Sequence, residues 1–495
     1  MIEAAALLNS FSGSSPKTRN PCIRSPLPPY QGGCLKSKIY NRFAEDITLN
    51  TRVILVRHGQ SSYNTERRIQ GRCDESILTE KGRVTAGQLG AALGGIKFDA
   101  IYTSPLQRAK QTAEVIVSCL ATPAPLQASD KLMEIDLPAW EKMLSSEVKE
   151  KFSEDYRCWQ ERPHELRMMR QEAEGVREHF PVLALYAQAR QFWQEILPRH
   201  AGGTILLVGH NGINRALIAN AIAMSPERYH SIQQSNCGIS VLNFADGWDK
   251  PAQLESMNLT AHVGETLPSF RPGHKGLRLL LVRHGETEWN RQKRFQGQID
   301  VPLNDNGREQ AEKAAQFLKD VPIDFAVSSP LLRPKETAEI ILKYHPHVQI
   351  ELQPPLAEIS HGLWEGKFEE EIELTYPGML EQWRDSPQTV QMPEGENLQQ
   401  VWERSVAAWQ MAIASYSGDQ PKTGLVVAHD ATNKVLLCHI LGLKPENFWS
   451  IKQGNGAVTV IDYPQGPDGM PVLQAMNITT HLGGGVLDKT AAGAL

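Results

Sequence analysis

The sequence predicts an α/β protein: a mostly parallel sheet flanked by helices, present twice in tandem. Three observations carry this. Arg57-His58-Gly59 recurs as Arg283-His284-Gly285, at an offset of 226 residues. Further paired segments follow at offsets that shrink slowly along the chain, as small loop deletions in one ancestral unit would make them. Within each copy, short apolar runs of strand length alternate with stretches of helical spacing.

In chain order, residues 52–56 form a β-branched apolar run that ends at Arg57-His58-Gly59. Asn64 and Gly71 follow, and return as Asn290 and Gly297. Small and apolar residues at helical spacing predict a helix over 86–93, then a strand over 98–102. Thr103-Ser104-Pro105-Leu106-Gln107-Arg108 returns as Ser328-Ser329-Pro330-Leu331-Leu332-Arg333 and leads into a helix over 108–120. Met133-Glu134-Ile135 returns as Ala357-Glu358-Ile359. Met168 and Met169 read as core, and the charged stretch 147–151 as a solvated helix face. A fully apolar strand over 204–208 leads to Gly209-His210, matched by Ala428-His429, with a helix over 213–224 behind it. Gln234-Ser235-Asn236 returns as Gln453-Gly454-Asn455. Residues 239–244, a turn at 245–247 and residues 254–259 predict a hairpin that closes the unit. The units therefore span 51–265 and 277–488, joined by a Pro/Gly/His linker over 266–276.

Residues 1–50 differ from the rest. Up to Phe43 they carry Lys17, Arg19, Arg24, Lys36, Lys38 and Arg42 against Glu3 alone. This reads as a disordered tail, an upstream false start, or an organelle transit segment. The expected location is cytoplasmic, or plastid if the segment is a transit peptide.

Composition excludes several classes. With 51 basic and 56 acidic residues the formal charge is −5, which gives no basic face for nucleic acid. No apolar run approaches the ~18 residues of a membrane span. The seven cysteines form no Cys-x-x-Cys pair, which argues against a disulfide scaffold or a zinc site.

In open α/β sheets, ligands bind outside the carboxyl ends of the strands. That edge is where the pattern puts Arg57, His58, Arg108, Glu134 and His210, and in the second unit Arg283, His284, Arg333, Glu358 and His429. Two guanidiniums suit a phosphate dianion, which they clamp bidentately. Two imidazoles supply a nucleophile and a positively charged hydrogen-bond donor, and a carboxylic acid protonates a leaving alkoxide. The set implies phosphoryl transfer through a phosphohistidine with no metal: His58 or His284 attacks, the arginines and second histidine neutralise charge, and Glu134 or Glu358 acts as acid. The acid requires a carboxyl whose pKa is raised by burial. Trp140 and Trp364 read as packing, and His262 and His481 as residues that finish the fold. Asp430 follows His429 where Asn211 follows His210; it either stabilises a charged His429 or faces solvent. Pro334 after Arg333 fits the first position of a helix.

Leu-Val-Arg-His-Gly-Gln-Ser-Ser-Tyr-Asn at 55–64 and Leu-Val-Arg-His-Gly-Glu-Thr-Glu-Trp-Asn at 281–290 resemble the signature of the histidine phosphatase, or phosphoglycerate mutase-like, superfamily. The resemblance covers almost all of 51–488. It implies that His58 and His284 are the phosphorylated residues. Arg57, Arg108, His210 and their counterparts then form the phosphate pocket, and Asn64 and Asn290 match a supporting polar position. The tandem form is similar to two-domain members from photosynthetic organisms. Cyanobacterial ones are labelled phosphoglycerate mutase, and a plant relative is a chloroplast phosphatase acting on 2-carboxyarabinitol 1-phosphate. Classical mutases follow the catalytic Glu with Arg-His-Tyr-Gly; here Ile135-Asp136-Leu137 and Ile359-Ser360-His361 stand instead. The expectation is hydrolysis of a small phosphorylated sugar or sugar acid without cofactor. The alternatives are a mutase primed by 2,3-bisphosphoglycerate, or one catalytic and one phosphate-binding regulatory unit. The expected partner is a small phosphorylated metabolite, with neither nucleic acid nor membrane. The sequence leaves the oligomeric state open.

Overall fold

The computed structural model describes residues 50–487 except 123, 174, 272, 484 and 486. The tail expectation for 1–50 falls, but for residue 50, outside the described residues.

The first unit contributes β1 (Thr51–Arg57), β2 (Ala100–Thr103), β3 (Leu126–Ala128), β4 (Met168–Glu172), β5 (Gly175–His179), β6 (Thr204–Gly209), β7 (Ile239–Phe244) and β8 (Gln253–Leu259). The second contributes β9 (Leu277–Arg283), β10 (Phe325–Ser328), β11 (Ile350–Leu352), β12 (Lys422–Ala428), β13 (Val458–Asp462) and β14 (Val472–Ile478). Twelve strands form one sheet in the order β11-β10-β12-β9-β13-β14-β8-β7-β1-β6-β2-β3. Within each unit the four strands from the edge inward are parallel. The last two turn antiparallel, as the hairpin pattern predicts. The units meet where β8 pairs antiparallel with β14, at Met257 opposite Met476. These are equivalent residues of the two copies, so the seam is an isologous contact within one chain.

Both faces of the sheet are covered, which is why β1 and β9 read as nearly unbroken apolar runs. Alternate residues of β1 feed two cores. Val53 and Leu55 join one on one face; Ile54 and Val56 join another. Each core also takes residues from β9, Leu279 and Leu281 on one side and Leu280 and Val282 on the other. A smaller third core in the second unit gathers Phe295, Trp364 and Trp383. Trp140 and Trp364 are fully buried, as packing residues.

Two sequence expectations are corrected here. Met168 is buried, but Met169 is 57% exposed. The pair lies on β4, which with β5 forms a separate two-stranded ribbon whose alternation sends neighbours to opposite faces. Pro334 is the third residue of the helix Leu332–Ile341, not the first. It is accommodated because the first four N–H groups of a helix have no intrahelical acceptor. Among the described residues no helix is long and apolar enough to cross a membrane.

Candidate active sites

Each unit gathers its chemistry-bearing residues at the carboxyl edge of its parallel strands. His58 follows β1 and His210 follows β6, where it caps the helix Asn211–Ala221. Because β1 and β6 are neighbours, the two rings stand 5.1 Å apart, centroid to centroid, although 152 residues separate them in sequence. In the second unit His284 and His429 repeat this at 5.2 Å. Gly59 lets the chain turn here. Its backbone lies so close to Gly82 on the helix Glu80–Leu93 that a Cβ would collide with the Gly82 carbonyl.

The histidine tautomer is set locally. His58 Nδ1 lies 2.7 Å from its neighbour's carbonyl, Gly59 O, and His284 Nδ1 lies 2.7 Å from Gly285 O. A carbonyl only accepts, so Nδ1 carries the proton and Nε2 keeps its lone pair. Burial, together with the adjacent arginines, holds both histidines well below the ordinary imidazole value, hence neutral at pH 7. Arg333 Nε approaches His284 Nε2 at 3.3 Å, placing a guanidinium beside the free lone pair.

The arginines are aimed by main-chain carbonyls. Arg57 donates to Gln234 O at 2.8 Å, and Arg108 to Cys73 O and Gly71 O at 2.8 and 2.9 Å. Arg283 donates to Gln453 O at 2.7 Å, and Arg333 to Gly297 O and Ile299 O at 2.7 and 3.1 Å. Burial pushes Arg57 and Arg333 down to about 10, which leaves both charged at neutral pH. Carbonyls orient a guanidinium without cancelling its charge; among the described residues Arg283 alone of the four also pairs with a carboxylate, that of Asp430.

Glu134 accepts from Gly212 N and Ile213 N at 3.0 and 3.1 Å, in the first turn of the helix behind His210. Glu358 makes the equivalent, longer contacts to Ala431 N and Thr432 N. Both carboxyls are therefore beside their paired histidines, as their register suggests. Burial, and then the Asp430 carboxylate, raise the Glu358 pKa above the ordinary carboxyl value.

Without a phosphate beside them, burial first, and then Arg108 or Arg333, hold His210 and His429 well below the ordinary imidazole value. One further expectation is corrected. Asp430 neither pairs with His429 nor faces solvent. It is buried, 3.2 Å from Arg283 and 2.7 Å from Lys434, one helical turn on. As first residue of the helix Asp430–Leu441 it shares a face with Lys434, four residues on. Asn64 and Asn290 form capping boxes: their Oδ1 atoms accept from the Ser61 and Thr287 backbone N–H groups, at 3.1 Å each. Asn290 also lines the second-unit cavity, whose empty volume of about 280 Å³ includes its open mouth.

Several supporting residues escaped sequence reasoning. Thr112 and Thr337 accept from Gly59 N and Gly285 N, fixing the turn after each histidine. Glu141 and Glu365 accept from Arg72 N and Gln298 N, bracing the loops whose glycine carbonyls hold Arg108 and Arg333. Their presence in both copies was the available signal. His361 lines the second cavity with both ring nitrogens buried and without a partner among the described residues; burial pushes it down to about 3. The first unit has Leu137 in this place.

Comparison with known proteins agrees with this geometry. The family model "Histidine phosphatase superfamily (branch 1)" matches residues 53–258 and again 279–479. A 2-carboxy-D-arabinitol-1-phosphatase of Triticum aestivum is 32% identical over 442 residues, covering 87% of this chain and 86% of its own. Phosphoserine phosphatase 1 of Hydrogenobacter thermophilus is 33% identical over 207 residues, 42% of this chain and 95% of its own. A "Probable phosphoglycerate mutase" of Cronobacter sakazakii is 32% identical over 216 residues, 43% of this chain and 98% of its own. Two matches of the family model, each enclosing one histidine pair with its arginines and glutamate, place this chain as an enzyme in the histidine phosphatase superfamily.

Proposed function

We propose that both units hydrolyse a small phosphomonoester through a phosphohistidine, with a sugar-acid phosphate as the substrate class. The observation that carries this reading is the histidine whose Nδ1–H is locked on a neighbouring carbonyl, with two arginines and a carboxyl gathered at the same strand ends and, in the second unit, Arg333 Nε 3.3 Å from Nε2. Nε2 of His58 or His284 attacks phosphorus while the bond to the ester oxygen breaks. Glu134 or Glu358 gives its proton to that leaving oxygen, then takes one from a water that attacks the phosphohistidine. Inorganic phosphate leaves and the imidazole is restored. Arg57 with Arg108, or Arg283 with Arg333, carries the equatorial oxygens through both steps. Burial first, and then the arginines, lower His210 and His429; an arriving phosphate dianion opposes the arginine contribution and so favours their protonated form.

Hydrolysis is favoured over mutase chemistry by the residues after each glutamate, which lack the Arg and Tyr of classical mutases. It is also favoured by the name of the wheat relative, which matches across both units and is a sugar-acid phosphatase. No cofactor enters this scheme, and the partner is the phosphorylated metabolite itself.

The test uses His58→Ala and His284→Ala, singly and together, on p-nitrophenyl phosphate and on 3-phosphoglycerate with and without 2,3-bisphosphoglycerate. Each single variant is expected to keep turnover from the other site, and the double variant to lose on the order of 10³-fold or more. Phosphate release should need no primer. Interconversion of 2- and 3-phosphoglycerate that depends on the primer would establish the mutase instead. Loss of all turnover in one single variant would leave the other unit as a binding module.

A further inference from the structure

The loop behind each phosphate pocket is fastened to the opposite unit. In the first unit, Gln234 O receives Arg57, and Asn236 Nδ2 donates to His58 O at 2.8 Å. The residue before them, Gln233, donates its N–H to Leu473 O of the second unit at 3.0 Å, and Leu473 N returns a bond to Ser231 O at 2.7 Å. The mirror arrangement exists. Gln453 O receives Arg283, Asn455 Nδ2 donates to His284 O at 3.1 Å, and Lys452 N donates to Leu254 O of the first unit at 3.2 Å.

One side chain on each side joins loop and seam. Asn258 lies fully buried in β8 with φ of 55°, at the irregularity in the β7–β8 register. Its own N–H goes to Ser240 Oγ, its Oδ1 accepts from Ser235 N at 2.7 Å, and its Nδ2 donates to Gln474 O of the second unit at 2.7 Å. Asn477 has φ of 57° in β14. Its N–H goes to Thr459 Oγ1, its Oδ1 accepts from Gly454 N at 2.8 Å, and its Nδ2 donates to Glu255 O of the first unit at 2.7 Å. Asparagine suits both demands: it tolerates the left-handed backbone and offers an acceptor and a donor on one planar group.

We propose that Asn258 and Asn477 are positioning residues for phosphoryl transfer, each holding the loop behind one phosphate pocket against the main chain of the other unit. The tie from the opposite unit to the phosphate-clamping arginine is short: carbonyl, Asn amide, loop N–H, loop carbonyl, guanidinium. The loop behind each pocket is thus held from both units. This rests on the phosphohistidine reading of the two sites.

Asn→Asp separates the two bonds at Asn477; Asn258 Nδ2 also donates to Ser235 Oγ at 3.2 Å, a hydroxyl that can turn to donate to an aspartate oxygen instead. Aspartate keeps the Oδ1 acceptor for the loop N–H and tolerates the same φ, but sets an oxygen against the carbonyl across the seam. Asn258→Asp is made in the His284→Ala background, so that only the first site turns over. The expected result is a rise of about ten-fold in KM for p-nitrophenyl phosphate with kcat changed less than about three-fold. The affinity for inorganic phosphate, read by calorimetric titration, falls in step. Asn477→Asp in the His58→Ala background is the mirror test and stands alone if the first variant fails to fold. A lowered melting temperature with KM and phosphate affinity unchanged overturns the proposal, since that is what a merely structural bond gives. If the His284→Ala parent is inert on p-nitrophenyl phosphate, the two-site reading of function falls. The phosphate titration still decides the role of the seam.

Discussion

At the residue scale, the two copies differ most instructively at Asp430 and its counterpart Asn211. The Asp430 carboxylate is the second cause, after burial, that raises Glu358. A raised carboxyl pKa keeps the general acid protonated to higher pH, and a depressed His284 stays neutral to lower pH. With His58→Ala isolating the second site, kcat/KM is expected to fall as pH rises through the Glu358 value. Asp430→Asn removes one raising charge, so that alkaline limb should move to lower pH; a pH–rate profile checks the direction. The same substitution leaves Lys434 without its 2.7 Å partner, a buried charge uncompensated. A drop in melting temperature is therefore expected alongside. The residue types at this scale were legible because the copies repeat them. What Asp430 faces was not, since one step along a helix turns a side chain by about 100°.

At the element scale, the loop after each catalytic strand does the aiming. Gly297 has φ of 57°, its carbonyl receives Arg333, and Glu365 packs where a Cβ would stand. Gly297→Ala is expected to cost about 1–2 kcal/mol for the left-handed backbone alone, and more for displacing Glu365. It should raise KM at the second site, measured in the His58→Ala background beside a thermal melt. The cationic support of this loop has also moved between copies. Arg72 donates to Glu134 O and to Gln188, whereas in the second unit Gln298 donates to Glu358 O and Arg404 supplies the charge. The strand–helix alternation that positions these loops was readable from periodicity. The β4–β5 ribbon was not, because only Met168 and its partner His179 are buried among its described side chains, too few to write an alternation along the strands.

At the scale of the whole molecule, the two units do not behave as beads on a linker. Both main cores run through the sheet from one unit into the other, and the linker itself is packed: Phe270 stacks under the Arg278 guanidinium at 3.9 Å, and Arg278 forms a buried bidentate pair with Asp462. Shared cores couple unfolding. Urea denaturation is therefore expected to show one transition, with turnover of each single-site variant lost at the same midpoint as the tryptophan signal. Two separated transitions would show that the seam couples the units only weakly.

The sequence by itself determined that one α/β unit is present twice, and it singled out the histidines, arginines and glutamates that the fold gathers at each strand edge. Repetition and strand-end placement are local properties written along the chain. Only the tertiary structure decided the histidine tautomers, the burial of the second histidines and of Asp430, and the crossing of each pocket's support into the opposite unit. Those depend on which carbonyl lies within 3 Å of which donor and on how far water is excluded. The tautomer is fixed by the next residue's carbonyl, but the burial and the crossing supports are set by residues more than a hundred positions apart, through one shared sheet.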